Sequence, residues 1–280
     1  MIRSLALIFI LVIAIQLISA QSFLEQKVRG GEGLDYTRIH VVDKFVGKDF
    51  TNLFVRGNVP IIDGAFAIEA LSQYIITRAK EEAGFTLSPN FYLTDVSLMN
   101  AVDEPASERD FWADPQHANL GEYVVWPMGL AGLYDPRSYD VPTQYTMSNG
   151  TVWEFDLLPE RTHKLIEMLR QPGPIDPKTN LPRTRVIYIH CQAGRDRTGQ
   201  AVIAYRLAMV PISSFTPSTL QTMFEKNIIE GGRCPNDWSV KATEWFCIYF
   251  KYNFGVNMGD CLHIADCKRF GGCTWPPAPY

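Results

Sequence analysis

The sequence predicts an α/β fold, in which a central, mostly parallel β-sheet is flanked by helices. An apolar run at 185–189 has the composition of a buried strand, and it passes through a glycine-containing turn into residues with helical spacing. Further strand and helix candidates alternate along the chain, an order typical of parallel sheets covered by helices. The chain has 280 residues, 46% of them hydrophobic, which is enough for one large core.

The first twenty residues predict a signal peptide. Arg3 precedes a short apolar run, and the small residue Ala20 precedes the polar Gln21. We expect cleavage after Ala20, no membrane span thereafter, and a location outside the cell or in the lumen of the secretory pathway. An uncleaved anchor is the alternative, but the apolar run is shorter than the roughly 20 residues that a spanning helix needs.

Several segments of the remaining chain have strand or helix patterns. Residues 23–60 look irregular with short strands such as 39–42, and residues 65–83 predict a helix that ends at Gly84. Turn-forming residues over 99–150 predict long loops around one short strand. The other predicted elements are strands at 91–98, 123–125, 152–155 and 185–189, helices at 159–169, 202–209, 218–229 and 237–252, and a long loop at 171–182.

The cysteines divide the mature chain into one domain over 21–255 and a Cys-rich extension over 256–280. Export permits disulfides, and two disulfides with one spare thiol are the simplest count once Cys191 is set aside. The sequence leaves the pairing open. A zinc site is the alternative, although the spacing does not match the usual ligand pattern. The five cysteines concerned are Cys234, Cys247, Cys261, Cys267 and Cys273.

The segment 190–199, HCQAGRDRTG, carries the strongest chemical signal. The preceding strand delivers Cys191 to the carboxyl edge of the sheet, where sites of α/β proteins lie. The next helix N-terminus and the N–H groups of a tight loop form an anion cradle, in which Gly194 and Gly199 permit close turns. Because this field favours the thiolate, we expect Cys191 to attack a phosphorus atom held above it.

Three neighbours of Cys191 have predicted catalytic roles. Arg197 can grip two phosphate oxygens with its planar guanidinium. Thr198 can donate its hydroxyl to the sulfur and so stabilise the thiolate as leaving group. His190 can brace the loop through its ring nitrogens. The predicted substrate-binding residues are Gln192, Ala193, Gly194, Arg195, Asp196 and Arg197.

This segment resembles the H-C-x5-R-[ST]-G signature of the cysteine-dependent protein tyrosine phosphatase superfamily. It matches that signature throughout, and the flanking strand and helix agree with it. The resemblance implies a phosphotyrosine-phosphatase-like fold for the 21–255 domain and two-step hydrolysis through a phosphocysteine on Cys191. It implies catalysis without a metal or other cofactor. The chain is closest to the dual-specificity and atypical lipid-type members.

The resemblance implies an aspartate as general acid, and two candidates remain open. Asp156 lies 35 residues before Cys191 in a D-x-x-P pattern similar to the acid loop of dual-specificity and lipid-type members. Asp196 lies inside the cradle, where some atypical phosphatases carry an aspartate. The alternative for Asp156 is a helix N-terminal acid, and the alternative for Asp196 is a loop brace. Trp126-Pro127 is followed by Met128, which cannot donate a proton.

The substrate class also stays open. The resemblance implies a phosphotyrosine or dual-specificity protein phosphatase, and the basic Arg195 makes a phosphoinositide or inositol phosphate the alternative substrate. Neutral Gln192 supplies only half of the lipid-type pattern. A catalytically inactive module that binds phosphorylated ligands is the second alternative. A rhodanese-type sulfur transferase is disfavoured by the intact x5-R-T-G spacing.

The net charge limits the expected classes of partner, and the sequence also contains a glycosylation sequon. The formal net charge of −4 provides no basic field for nucleic acid, so the expected partners are phosphorylated proteins or phosphorylated lipids and inositols. Asn149-Gly150-Thr151 is a glycosylation sequon that an exported eukaryotic chain would use.

Overall fold

The computed structural model describes residues 33–101 and 103–264. The predicted signal peptide and residues 265–280 of the predicted extension, including Cys267 and Cys273, lie outside the described residues. Among the described residues, no helix has the length and apolar character that crossing a bilayer requires.

A five-stranded sheet forms the centre of the fold. Its order is β1-β2-β7-β5-β6; β1 is antiparallel to β2, and the other neighbouring pairs are parallel. The two short strands β3 and β4 form a separate antiparallel pair. The predicted α/β class with a mostly parallel sheet is therefore confirmed. The strands are β1 (His40–Val46), β2 (Thr51–Asn58), β3 (Ile61–Ile62), β4 (Ala65–Phe66), β5 (Tyr92–Ser97), β6 (Gly121–Val125) and β7 (Arg185–Cys191).

Helices cover both faces of the sheet. One apolar core packs α1 and α2 against one face through Leu71, Ile75 and Phe111, and the larger core packs α4 to α7 against the other face. Strand β7 contributes alternate residues to the two cores, because successive side chains of a strand point to opposite faces. The helices are α1 (Ile68–Ala83), α2 (Ala106–Ala113), α3 (Val141–Ser148), α4 (Leu158–Arg170), α5 (Asp196–Met209), α6 (Thr219–Gly231) and α7 (Asp237–Phe254).

Most strongly periodic segments form the predicted element. The first helix ends at Gly84, whose φ of 60° is in the left-handed region that glycine favours. Helix α4 begins with Pro159 in its first turn, where the missing N–H costs no hydrogen bond.

Three predictions about secondary structure are wrong. Residues 152–155 do not form a strand, since Thr151–Trp153 is a single 3₁₀ turn that places Trp153 in the core. The 99–150 region contains α2 and α3 in addition to β6. The segment 23–60, predicted as irregular with short strands, contains the eight-residue buried strand β2, which pairs with the central β7, and a seven-residue β1. Strand β2 is difficult to recognise from the sequence because Asn52, Arg56 and Asn58 are polar. In the structure these three side chains are buried and form hydrogen bonds with specific partners.

A disulfide attaches the start of the predicted extension to the domain. Cys247 in α7 is bonded to Cys261, and both are buried. Cys234 is disulfide-bonded as well. Residues 256–264 thus pack on the domain, with Val256, Met258 and Ile264 in the larger core.

We predict that Cys247→Ala combined with Cys261→Ala lowers the free energy of unfolding by about 3 kcal/mol, since the bond closes a loop of 14 residues. Urea unfolding followed by circular dichroism measures this. Reduction of the wild-type chain should lower the free energy of unfolding by at least as much, because Cys234 also loses its disulfide bond. Unchanged stability in the double variant would contradict the predicted contribution of this bond.

Candidate active site

Cys191 lies at the bottom of a pocket of about 250 Å³ at the carboxyl edge of the sheet. It is the last residue of the central strand β7, is 3% exposed, and is the only free cysteine among the described residues. A larger groove of about 830 Å³ lies between α4 and α7 and does not include it. The pocket is lined by Asn100, Asp103, Met128, Gly129, Cys191, Gln192, Ala193, Asp196, Arg197, Asn236, Trp238 and Ser239.

The loop between Cys191 and α5 is shaped by Gly194. Its φ is 66°, and a β-carbon there would lie 2.5 Å from the carbonyl oxygen of Gly57. Helix α5 begins at Asp196, so the N–H groups of its first residues have no acceptor within the helix and are available to an anion. The predicted strand–loop–helix cradle is therefore present in the backbone.

Arg56 holds the loop between Cys191 and α5 in place. Its side chain is fully buried, and it donates to the Gly194 carbonyl oxygen at 2.7 Å and to Glu230 at 2.9 Å. Glu230 also accepts hydrogen bonds from Arg206, so β2 and α5 both bind the same carboxylate of α6. These cations lower the pKa of Glu230 against the opposing effect of burial. The network joins β2, the loop and two helices.

Arg197 extends from the first turn of α5 into the pocket. Its Nη2 donates to Asp103 Oδ2 at 2.6 Å, and its Nη1 donates to the Leu98 carbonyl oxygen at 3.3 Å. Burial disfavours the charged guanidinium, but the bond to Asp103 and the negative field of Cys191 outweigh it and raise the pKa of Arg197. Asp103, which the sequence analysis missed, therefore orients the predicted phosphate-binding arginine.

Asp196 lines the pocket and is held by the loop that precedes α7. Its Oδ1 accepts a hydrogen bond from the Asn236 N–H at 2.7 Å, and its Oδ2 accepts one from Arg233 at 3.0 Å. The carboxylate therefore braces the loop, as the alternative interpretation of Asp196 required, and it also faces the pocket that contains Cys191.

Asp156 is placed differently from an acid that contacts substrate. It is fully buried, and its carboxylate accepts hydrogen bonds from the N–H groups of Gly129, Leu130 and Ala131. It does not line the pocket. The structure thus gives Asp156 a bracing position under the loop that follows β6.

The loop held by Asp156 reaches the pocket through Met128 and Gly129. A β-carbon at Gly129 would lie 3.8 Å from Cδ of Arg197, so this backbone packs beside the arginine. The Trp126-Pro127-Met128 segment therefore lies at the site, but it brings a thioether in place of a proton donor.

His190 points away from this pocket, into the opposite face of the sheet. It is fully buried, with Nε2 3.1 Å from Asp95 Oδ1 and 3.0 Å from Glu108 Oε1. Burial disfavours its charge, but the two carboxylates prevail and raise the pKa of His190 to about 10. Burial is the main cause that raises the pKa of Glu108. The prediction that His190 braces the loop through its ring nitrogens is therefore wrong, because Nε2 faces two acids of β5 and α2 that the sequence analysis did not identify.

The remaining predicted residues occupy varied positions. Gln192 and Ala193 line the pocket, whereas Arg195 does not. Thr198 is buried, and its hydroxyl makes no hydrogen bond with a described residue, so donation to the Cys191 sulfur stays a prediction.

The residues that sequence analysis missed lie far from the motif along the chain. Arg56, Asp95, Asp103 and Glu108 come from β2, β5, the loop after β5, and α2. A buried charge in a strand pattern, such as Asp95 within an apolar run, was the available signal. It indicates a partner without identifying that partner.

Comparison of the chain with protein-family models, with curated proteins and with solved structures finds no match.

We predict that Arg56→Ala lowers the free energy of unfolding by about 3–5 kcal/mol, because it leaves buried polar groups of the network without their partner. Urea denaturation measures the loss. Arg109→Ala, at a 57% exposed side chain on α2, is the control and should stay within about 0.5 kcal/mol of wild type. Equal stability of the two variants would show that the network does not support the loop.

Proposed function

We propose that the chain hydrolyses phosphate monoesters through a phosphocysteine on Cys191 and belongs to the cysteine-dependent phosphatases. One observation carries the proposal: the free thiol at the end of the central strand shares a pocket with a guanidinium from the first turn of the next helix. The HCQAGRDRTG segment supports the same chemistry, and the parallel sheet flanked by helices is compatible with a phosphotyrosine-phosphatase-like fold.

In the first step, the Cys191 thiolate attacks phosphorus while the bond from phosphorus to the ester oxygen breaks. Arg197 and the first N–H groups of α5 hold the equatorial oxygens and stabilise their charge in the transition state. A proton passes from the general acid to the departing oxygen, and the alcohol leaves.

In the second step, a water molecule attacks the phosphocysteine. The residue that gave its proton accepts one from this water, inorganic phosphate is released, and the thiolate is restored. Thr198 is a candidate donor to the departing sulfur.

We propose Asp196 as the acid and Asp103 as a positioning residue. Asp196 lines the pocket that contains Cys191 and directly precedes Arg197, so its carboxyl lies beside the position proposed for the phosphate. Asp103 is engaged by Arg197 at 2.6 Å, and so its main effect is on phosphate binding. The burial of Asp156 makes it a support of the Gly129 loop.

Phosphoinositides and inositol phosphates are a second candidate substrate class. Arg195 makes no salt bridge among the described residues, and its guanidinium lies in the repulsive field of Arg38 and Arg233, which together with burial lowers its pKa. A substrate with a second phosphate would relieve that repulsion, whereas a phosphotyrosine peptide would do so only through acidic neighbours.

We also propose that the protein is exported. The composition of residues 1–20 supports a signal peptide, and the Cys247–Cys261 disulfide is typical of oxidising compartments. Asn149 of the sequon is exposed at the end of α3, where its side chain also bonds the Tyr145 carbonyl oxygen and Asn253.

We predict that Cys191→Ser loses turnover of p-nitrophenyl phosphate by several orders of magnitude, because the hydroxyl is a far weaker nucleophile. Phosphate binding, measured by calorimetry, should persist. The wild-type chain should give a burst of p-nitrophenol and a trapped phosphocysteine on acid quench. Binding without turnover in the wild-type chain would instead identify an inactive binding module.

We predict that Asp196→Asn loses about 10²–10⁴-fold in kcat on phenyl phosphate and much less on p-nitrophenyl phosphate, whose leaving group needs no proton. Asp103→Asn should raise KM for both substrates alike, and Asp156→Asn should mainly lower stability. Asp110→Asn, at an exposed position on α2, is the control. A leaving-group dependence confined to Asp156→Asn would restore the sequence-based acid and overturn the assignment to Asp196.

A further inference from the structure

Asp95, Glu108 and His190 form a polar cluster inside the core behind the pocket. All three side chains are fully buried, and their ligating atoms lie within 4.8 Å of one another. They belong to β5, α2 and β7, so the cluster links two parallel strands to the helix that covers them.

The cluster concentrates buried polar atoms that lack hydrogen bonds. Among the described residues these include Asp95 Oδ1, Glu108 Oε1, and both ring nitrogens of His190. The β5–β7 register places Ser97 beside His190. Leaving so many polar atoms unpaired in one core is costly unless another group engages them.

The distances within the cluster are compatible with coordination of one ion. Nε2 lies 3.0–3.1 Å from one oxygen of each acid, yet neither approach forms a hydrogen bond. Ligand atoms bound about 2.1 Å from an octahedral ion are about 3.0 Å apart. The spacing is therefore that of neighbouring ligands around one small cation.

The outer oxygens of the two acids are held by aromatic donors. Trp112 Nε1 donates to Asp95 Oδ2 at 2.8 Å, and Tyr123 Oη approaches Glu108 Oε2 at 3.4 Å. Each carboxylate thereby turns its other oxygen toward His190. Such outer contacts orient the ligands of metal sites.

The two acidic side chains of the cluster also favour a bound cation. Two buried carboxyl groups face one imidazole in this cluster. A divalent cation with a neutral imidazole balances both acids. One nitrogen with two oxygen ligands suits zinc or manganese better than calcium or magnesium, which prefer oxygen alone.

We propose that Asp95, Glu108 and His190 bind one divalent transition-metal ion of the zinc or manganese type, which has a structural role. All three ligating side chains are fully buried. It lies on the opposite face of β7 from Cys191, so the ion takes no part in phosphoryl transfer and is compatible with metal-free catalysis.

The test measures metal and not activity, so it does not depend on the proposed phosphatase reaction. The full chain with Cys191→Ser, which removes the thiolate as a competing ligand, is produced by export in medium containing zinc and manganese chlorides. After desalting, mass spectrometry should find about one ion per chain. In the same background, Glu108→Gln and Asp95→Asn should weaken binding at least tenfold, the loss that even outer contacts can cause.

The matched control is Glu104→Gln. Glu104 contacts Tyr123 but is not part of the cluster, and this variant should retain the metal. Equal metal content in folded Glu108→Gln and in the Cys191→Ser parent would overturn the proposal, as would a parent chain without metal. If Glu108→Gln does not fold, cobalt(II) loading of the parent decides, because absence of visible d–d absorption would equally exclude the site.

Discussion

The fully buried guanidinium of Arg56 is the interaction on which the candidate site depends. It donates to the Gly194 carbonyl oxygen and to Glu230, and so it fixes the turn that carries the loop from β7 into α5. Glu230 in turn holds Arg206 on α5. The position of Arg197 relative to Cys191 follows from this arrangement, since the first turn of α5 can be placed only after the loop is fixed. An ion network in the core thus sets the geometry of a surface pocket.

Sequence analysis predicted the parts of the fold whose structure depends on residues close together in the sequence. The β7–loop–α5 unit is continuous in the chain, and its apolar strand, glycine turn and helical spacing allow no other simple arrangement. The same holds for α1, which ends at Gly84 with a left-handed backbone, and for α4, which carries Pro159 in its first turn. Cys191 and Arg197 were identified because they lie only six positions apart in the sequence.

The parts that sequence analysis missed depend on partners remote in sequence. Strand β2 looks irregular because Asn52 and Arg56 are polar, yet each is buried against groups more than 100 residues away. Asp103 reaches Arg197 from the loop after β5, and no spacing rule connects the two. Asp156 shows the converse case: its distance from Cys191 along the chain suggested an acid, whereas its burial beneath Gly129 and Leu130 could be known only from the fold.

Because successive side chains of β7 point to opposite faces of the sheet, the adjacent residues His190 and Cys191 lie in different chemical environments. Cys191 joins the core that contains α5, whereas Tyr188 joins the core beneath α1, on the face where His190 meets Asp95 and Glu108. One peptide bond therefore connects the floor of the pocket to the acidic cluster. A displacement of the His190 backbone, whether it follows loss of a carboxylate or of a bound cation, would therefore also move Cys191. The shared backbone of β7 links the buried histidine to the free thiol that directly follows it.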